Sequence, residues 1–319
     1  GASGVSIVRF MPGASRRRVL NTRVPVGARK PLVGGGASGR MRGRTAAGVA
    51  GLLAGGSAWR ARGVPFSPVS GGARIGAAFV AQRGLADPDA REVAGEMDDM
   101  AAYAREGFDP ERVAGDVRRF YERTTEYELL FRARWHRPFR AGAALADRVT
   151  SRVAQLNLPG PGDEDWHRLE SRFVALDTAI DPRDGARAWV RTDERGDAVF
   201  VALYASHESD GERFVNIAAP LPGGNLSTVL RVDHLGAGDA TGVELTTRAA
   251  GDPGLYWVVP PVGFALPADQ RFRVWPTDGA VPAPDVGDPT GGDAVALATH
   301  EMWLCGAQLL TVEYAIRRA

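Results

Sequence analysis

From residue 171 to the C-terminus, apolar residues recur at alternate positions in short runs, the spacing of strands that bury one face. Residues 172–176, 186–192, 198–206, 213–219, 227–234, 242–248, 254–259, 271–275, 295–304 and 309–317 follow this rule. Turn-forming groups separate them, among them Asp181-Pro182-Arg183-Asp184-Gly185, Ser209-Asp210-Gly211 and Pro222-Gly223-Gly224-Asn225. Short strands at nearly even spacing with hairpin-length loops predict an antiparallel sheet that curls into a barrel or sandwich. In the last run Leu310, Val312, Tyr314 and Ile316 share one face and Thr311 and Glu313 the other, which predicts a half-buried strand that closes the sheet.

Upstream the period changes. Asp109 is a good N-cap, Pro110 suits a first helical position, and Val113, Val117, Phe120, Thr124, Tyr127 and Phe131 follow in steps of three and four. This spacing predicts one long amphipathic helix ending before Pro138. A second helix is predicted over 140–157, with Leu145, Val149, Val153 and Leu156 inward, stopped by Leu158-Pro159-Gly160-Pro161. The expected fold class is therefore α+β, two N-terminal helices packed on a curved antiparallel β-sheet or β-barrel, in a single folded domain over 97–319. Residues 1–96 are rich in Arg, Gly and Ala and sustain neither period, so they read as a disordered basic leader. Arg40-Met41-Arg42-Gly43-Arg44 before a glycine-rich apolar stretch is a weak signal-like pattern. Because the chain starts at Gly1 and Met97 and Met100 precede the patterned region, the leader is expected to be upstream sequence translated in frame, outside the native protein.

Charge sharpens that division. Residues 1–86 hold 14 Lys/Arg and no acid, whereas residues 87–319 hold 25 Arg against 38 acids, and Lys30 is the only lysine. An acidic, lysine-free chain fits a salt-rich cytoplasm in which ions screen self-repulsion. The single cysteine, Cys305, excludes internal disulfides and multi-cysteine zinc sites. No uncharged apolar run reaches the roughly 18 residues of a helical membrane span, so a cytoplasmic placement is expected. Without lysine after residue 30, the folded part cannot form a Schiff base, a pyridoxal-phosphate site or a P-loop. No G-x-S-x-G occurs, and Gly236-Ala237-Gly238-Asp239-Ala240-Thr241-Gly242 misses the dinucleotide spacing. No cofactor is expected.

The run Val117-Arg118-Arg119-Phe120-Tyr121-Glu122-Arg123-Thr124-Thr125-Glu126-Tyr127, then Gln155-Leu156-Asn157-Leu158-Pro159, Pro220-Leu221-Pro222 with Asn225-Leu226-Ser227-Thr228-Val229-Leu230-Arg231, His300-Glu301-Met302-Trp303 and Thr311-Val312-Glu313-Tyr314 carry a resemblance. They are similar to a family of uncharacterised proteins of halophilic archaea, over roughly residue 97 to the end. That family has no assigned activity, so the resemblance implies kinship and no function.

Chemistry concentrates near the C-terminus. His300, Glu301, Cys305 and Glu313 are the candidate catalytic residues of a hydrolase- or isomerase-type enzyme, with Cys305 as nucleophile and His300 as base. Against this, a free cysteine beside Gly306 reads more simply as a small buried filler in a turn. His207 and His300 with a carboxylate could approach a metal, but strand neighbours point to opposite faces and no metal site is expected. Arg132, Arg134, Trp135, Arg137 and Arg140 form a basic, aromatic stretch within 131–152, suited to an anionic membrane surface or head group, or to pairing with acids of the same fold. Nucleic acid is an unlikely partner for so acidic a domain. Aromatic residues on nearly every strand suit a barrel that is filled or that holds one small apolar molecule. The preferred function is non-catalytic binding of an apolar or amphipathic small molecule, with Asn216, Trp257, His300, Trp303 and Tyr314 as candidate contacts.

Overall fold

The computed structural model describes residues 63–90, 92–279 and 281–319, without the side chains of residues 144–149. The leader's residues 1–62, with the signal-like run at Arg40–Arg44, lie outside the described residues, as do the side chains of Leu145, Arg148 and Val149.

The helical lead-in is corrected first. Asp109 caps its turn as expected, its Oδ1 accepting from the Glu111 amide at 3.0 Å, but the turn is a single 3-10 turn, Pro110–Arg112. A short helix α2, Gly115–Glu122, follows the four-residue α1, Phe79–Gln82. The α-helix ends at Arg123, one 3-10 turn over Thr124–Glu126 follows, and Tyr127–Trp135 is strand β1. Tyr127 and Phe131 satisfy a helical step of four, but with Leu129 and Ala133 they also satisfy alternation, and all four are buried. Pairing of all nine residues with the last strand decides between the two periods. Only the second predicted helix is long, α3, Arg140–Val153.

The remaining strands are β2 His167–Ala175, β3 Asp184–Thr192, β4 Ala198–Ser209, β5 Glu212–Leu221, β6 Gly224–Leu235, β7 Gly242–Thr246, β8 Gly254–Val259, β9 Val262–Ala265, β10 Ala268–Pro276, β11 Ala296–Leu304 and β12 Ala307–Arg318. The order β5-β4-β3-β2-β1-β12-β11-β10-β7-β6 returns to β5 through the β5–β6 pairing, so ten strands close an antiparallel barrel, with β8 and β9 added on β6. The expected pair of helices on a sheet is thus replaced by a closed barrel with few helices. β12 closes it, lying between β1 and β11 with Leu310, Val312 and Ile316 buried inside. Asp210 and Gly211, with φ of 52° and 78°, make the tight turn between β4 and β5 that right-twisted strands require.

Residues 97–122 close one end. Met97, Met100, Tyr103, Phe108, Val117, Phe120 and Tyr121 share a core with the inward residues of the strands. At the other end the segment after α3 crosses the rim. There Val201 of β4, paired with Val190 of β3 on one side, has no ladder partner on its β5 side, since the β4–β5 register runs out at Leu203↔Ala218 and Pro220 has no N–H to give. Gln155 fills the gap: its Oε1 accepts from Val201 N at 2.8 Å and its Nε2 donates to Val201 O and Pro220 O at 2.8 and 3.1 Å.

The segment 64–87 straps the outside of the barrel. Val69, Ile75, Phe79, Val80 and Leu85 bury themselves against the outer face of β3 to β5, on Ala188, Val190, Val201, Leu203 and Ala218. A buried polar network pins it: Ser67 Oγ donates to Asp181 at 2.7 Å, Asp181 pairs with Arg183 at 2.8 Å, Arg183 reaches Asn216, and Asn216 donates to Pro65 O. Packed structure therefore begins well before Met97, inside the stretch that composition assigns to a leader.

Candidate functional site: the barrel interior

Two lobes of empty space lie inside the barrel, about 50 Å³ toward the end closed by residues 97–122 and about 90 Å³ toward the opposite rim. Arg191, Tyr204, Ile217, Phe272 and Tyr314 border both, forming a waist. Leu156, Phe200, Leu226, Met302 and Val312 wall the rim-side lobe. Phe120, Leu129, Trp189, Val274 and Ile316 wall the other, with Glu96 beside them. Alternation along each strand is what brings these residues to one surface.

The polar groups inside are few. His300 stacks on Phe272, ring centroids 3.6 Å apart, and its Nε2 lies 3.3 Å from Gln270 Oε1. Burial, and then the charge of Arg191, lower its pKa to about 3, so the imidazole is neutral at neutral pH. Burial raises Glu96 to about 7 against the opposing pull of Arg191. Burial also pushes the Tyr204 and Tyr314 phenols up, keeping both neutral. Glu96, His300 and Tyr314 keep accessible surface although they sit deep in the protein, because that surface faces the cavity.

The four candidate catalytic residues do not converge. His300 faces the interior. Glu301 is on the opposite face of β11, held by Arg271 and Arg273. Glu313 is likewise outside, accepting from Arg132 at 2.6 Å and Arg134 at 2.9 Å. Cys305, expected to be buried, is exposed in the β11–β12 turn; with Gly306 it supplies the two positive φ angles, 50° and 78°, that a two-residue hairpin needs. His207 is on the outer face, against Asp252 and Asn216, remote from the interior that His300 lines. Among the described residues no group of three His, Cys, Asp or Glu could hold a metal.

Of the candidate ligand contacts, His300 and Tyr314 line the cavity. Asn216 lies in the polar network under the strap. Trp257 is on β8, outside the closed ring, and the Trp303 ring carries the Arg248 guanidinium at 4.0 Å. In the basic stretch, Arg132 and Arg134 spend their charge on Glu313. Trp135 donates to Pro159 O, Arg140 lies 4.0 Å from Glu164, and Arg137 is exposed. Arg191 and Glu96 are the residues that sequence reasoning missed: Arg191 sits in a strand buried on both faces, and Glu96 in the stretch assigned to the leader.

Comparison with known proteins adds one finding. The chain is similar to a Bacillus subtilis protein. That relative, from strain 168, bears the name uncharacterized membrane protein YndJ; it is 31% identical over 255 residues, 79% of this chain and 43% of the relative. The chain thus spans less than half the length of the curated relative it matches. No family model matches, and no solved structure matches. The match overturns two expectations. Kinship runs to a bacterial protein in place of a halophilic archaeal family, and the membrane protein's name contradicts the cytoplasmic placement. Among the described residues no helix is long and apolar enough to cross a membrane.

Proposed function

We propose that the barrel binds a small apolar or amphipathic molecule in its interior without transforming it. The observation that carries this is the cavity itself: two adjoining lobes walled by aromatic and aliphatic side chains, with a few polar groups at their shared waist. One water needs roughly 10–15 Å³ by this measure, so the lobes together suit a molecule on the order of ten non-hydrogen atoms. The scattered placement of His300, Glu301, Cys305 and Glu313 supports a binding role over a hydrolytic one.

The name of the Bacillus relative supports a setting beside a membrane. The outer wall supports a barrel that stands in water there, because Glu128, Arg132, Arg271, Arg273 and Glu301 point outward in ion pairs. Lipid-facing barrels carry an apolar band on that surface. Calorimetric titration of the 319-residue chain with uncharged 1-octanol tests the binding role. Saturable one-site binding is expected, weakened at least fivefold by Ala219→Leu, which fills the rim-side lobe. Absence of saturable binding would refute it.

A further inference from the structure

Most buried charges in this protein are answered. Arg183, side chain 1% exposed, has Asp181 and Asn216; Arg187 has Asp98, Gly95 O and Gly185 O. Arg191 is the exception. It is 8% exposed, borders both lobes, and forms no ion pair among those of the described residues. Its guanidinium lies over the rings of Trp189, at 4.1 Å, and Phe200, at 4.6 Å. Among the described residues its side chain makes one hydrogen bond, a long donation from Nη2 to Tyr204 Oη at 3.4 Å, and its buried Nε has no partner. A cation held this way is costly unless something supplies negative charge.

Two neighbours have the same deficiency. The Trp189 Nε1 and Ser171 Oγ are buried and unpartnered. Ser171 is the register partner of Arg191 across β2–β3, and Trp189 lies two residues from Arg191 on the same face. The inner wall thus presents the Arg191 guanidinium and the Trp189 N–H side by side at the cavity, with the Ser171 hydroxyl behind them, and only the distant Tyr204 Oη accepts from any of the three. Glu96 borders the same lobe but is not hydrogen-bonded to Arg191, and its raised pKa leaves it substantially protonated at neutral pH.

We infer that the interior is built for an amphiphile with an anionic head, a carboxylate being the best fit, seated on Arg191 and Trp189 with its apolar part in the rim-side lobe. This rests on the binding role proposed above and names its ligand class. Charge-assisted bonds to a guanidinium in a water-poor site are the strong ones, so the head group decides affinity. A planar carboxylate accepts from Arg191 while leaving the guanidinium faces on the aromatic rings.

The test compares octanoate, 1-octanol and octylamine on the full chain by calorimetry. Octanoate is expected to bind at least tenfold tighter than octanol, and octylamine more weakly than either. Arg191→Met should abolish the preference, octanoate binding that variant no more tightly than octanol does. Equal binding of octanoate and octanol to the unaltered protein overturns the anionic-head assignment and leaves the binding role standing. Binding of none of the three overturns both. Because the comparison among the ligands is made on the unaltered protein, a misfolded Arg191→Met variant does not remove the test.

Discussion

Across β3 to β5 the outer wall of the barrel is dry: the strap lays Ile75, Phe79 and Val80 over Ala188, Val201 and Leu203, and the polar groups there are sealed in one network around Arg183. Across β1, β10, β11 and β12 the same wall is a lattice of arginines and carboxylates, Glu128 with Arg168 and Arg317 and Glu301 with Arg271 and Arg273, reaching water everywhere but at Glu313, which lies buried beneath Arg132 and Arg134. Both halves cover the same kind of surface. They differ in how far their charges stand from water, and that distance decides what each pair contributes. A buried pair must be complete, because removing one member strands a desolvated charge; a pair near solvent is replaced by water at small cost.

Opposite substitutions in the two halves should therefore separate widely. Asp181→Ala leaves Arg183 buried without its counter-charge and should cost about 3–5 kcal/mol by denaturant unfolding. Gln155→Ala, which strands the Val201 amide at the rim, should cost about 1–3 kcal/mol by the same measure. Glu96→Gln probes the interior through pH. Folded Glu96 keeps its proton to about pH 7, against an ordinary value of 4.5, so the native state binds more protons across that window and stability falls as pH rises through it. The Gln variant should unfold at higher denaturant than the unaltered protein at pH 8, by about 1–3 kcal/mol, and equally at pH 4. His300 acts in the opposite sense: its lowered pKa makes stability fall as pH drops from 6.5 toward 3, and His300→Gln should flatten that acid limb. Glu128→Gln in the charged half should cost least, about 0–1 kcal/mol, with the difference shrinking further in 1 M salt. A loss at Glu128 as large as that at Asp181 would erase the distinction between the halves.

How much of this was legible depended on whether a residue's environment lay in its own neighbourhood. Strands from β2 onward, the four-residue β9 excepted, announce themselves by alternation between turn residues, and Ser209-Asp210-Gly211 forms the hairpin its composition suggests. β1 was hidden because Val113, Val117, Phe120, Thr124, Tyr127 and Phe131 keep helical steps across a boundary at Arg123 that only pairing with β12 reveals. The strap was hidden because Ile75 and Phe79 are isolated among glycines and alanines, and their apolar partners lie more than a hundred residues away in sequence. In the site, strand parity put Tyr314 on one face with Leu310 and Val312 but left open which of His300 and Glu301 turns inward, a choice set by the register with β10. Arg191 escaped because an arginine in a strand ordinarily faces water, and β3, buried on both sides, offers no such face.

The pairing of β1 with β12 also sets a schedule. Tyr127 meets Arg318, so the ring has no closed form until residues 307–318 exist, however early β2 to β7 are made. During vectorial synthesis the nascent sheet carries two open edges, one at β1 and one at the growing end, each able to recruit a foreign strand. Closure then comes as a late, single event over the longest sequence separation in the barrel, the kind of contact that slows folding. A chain cut short before Ala307 would be a sticky ribbon with an exposed aromatic face, and its fate would belong to chaperones and proteases.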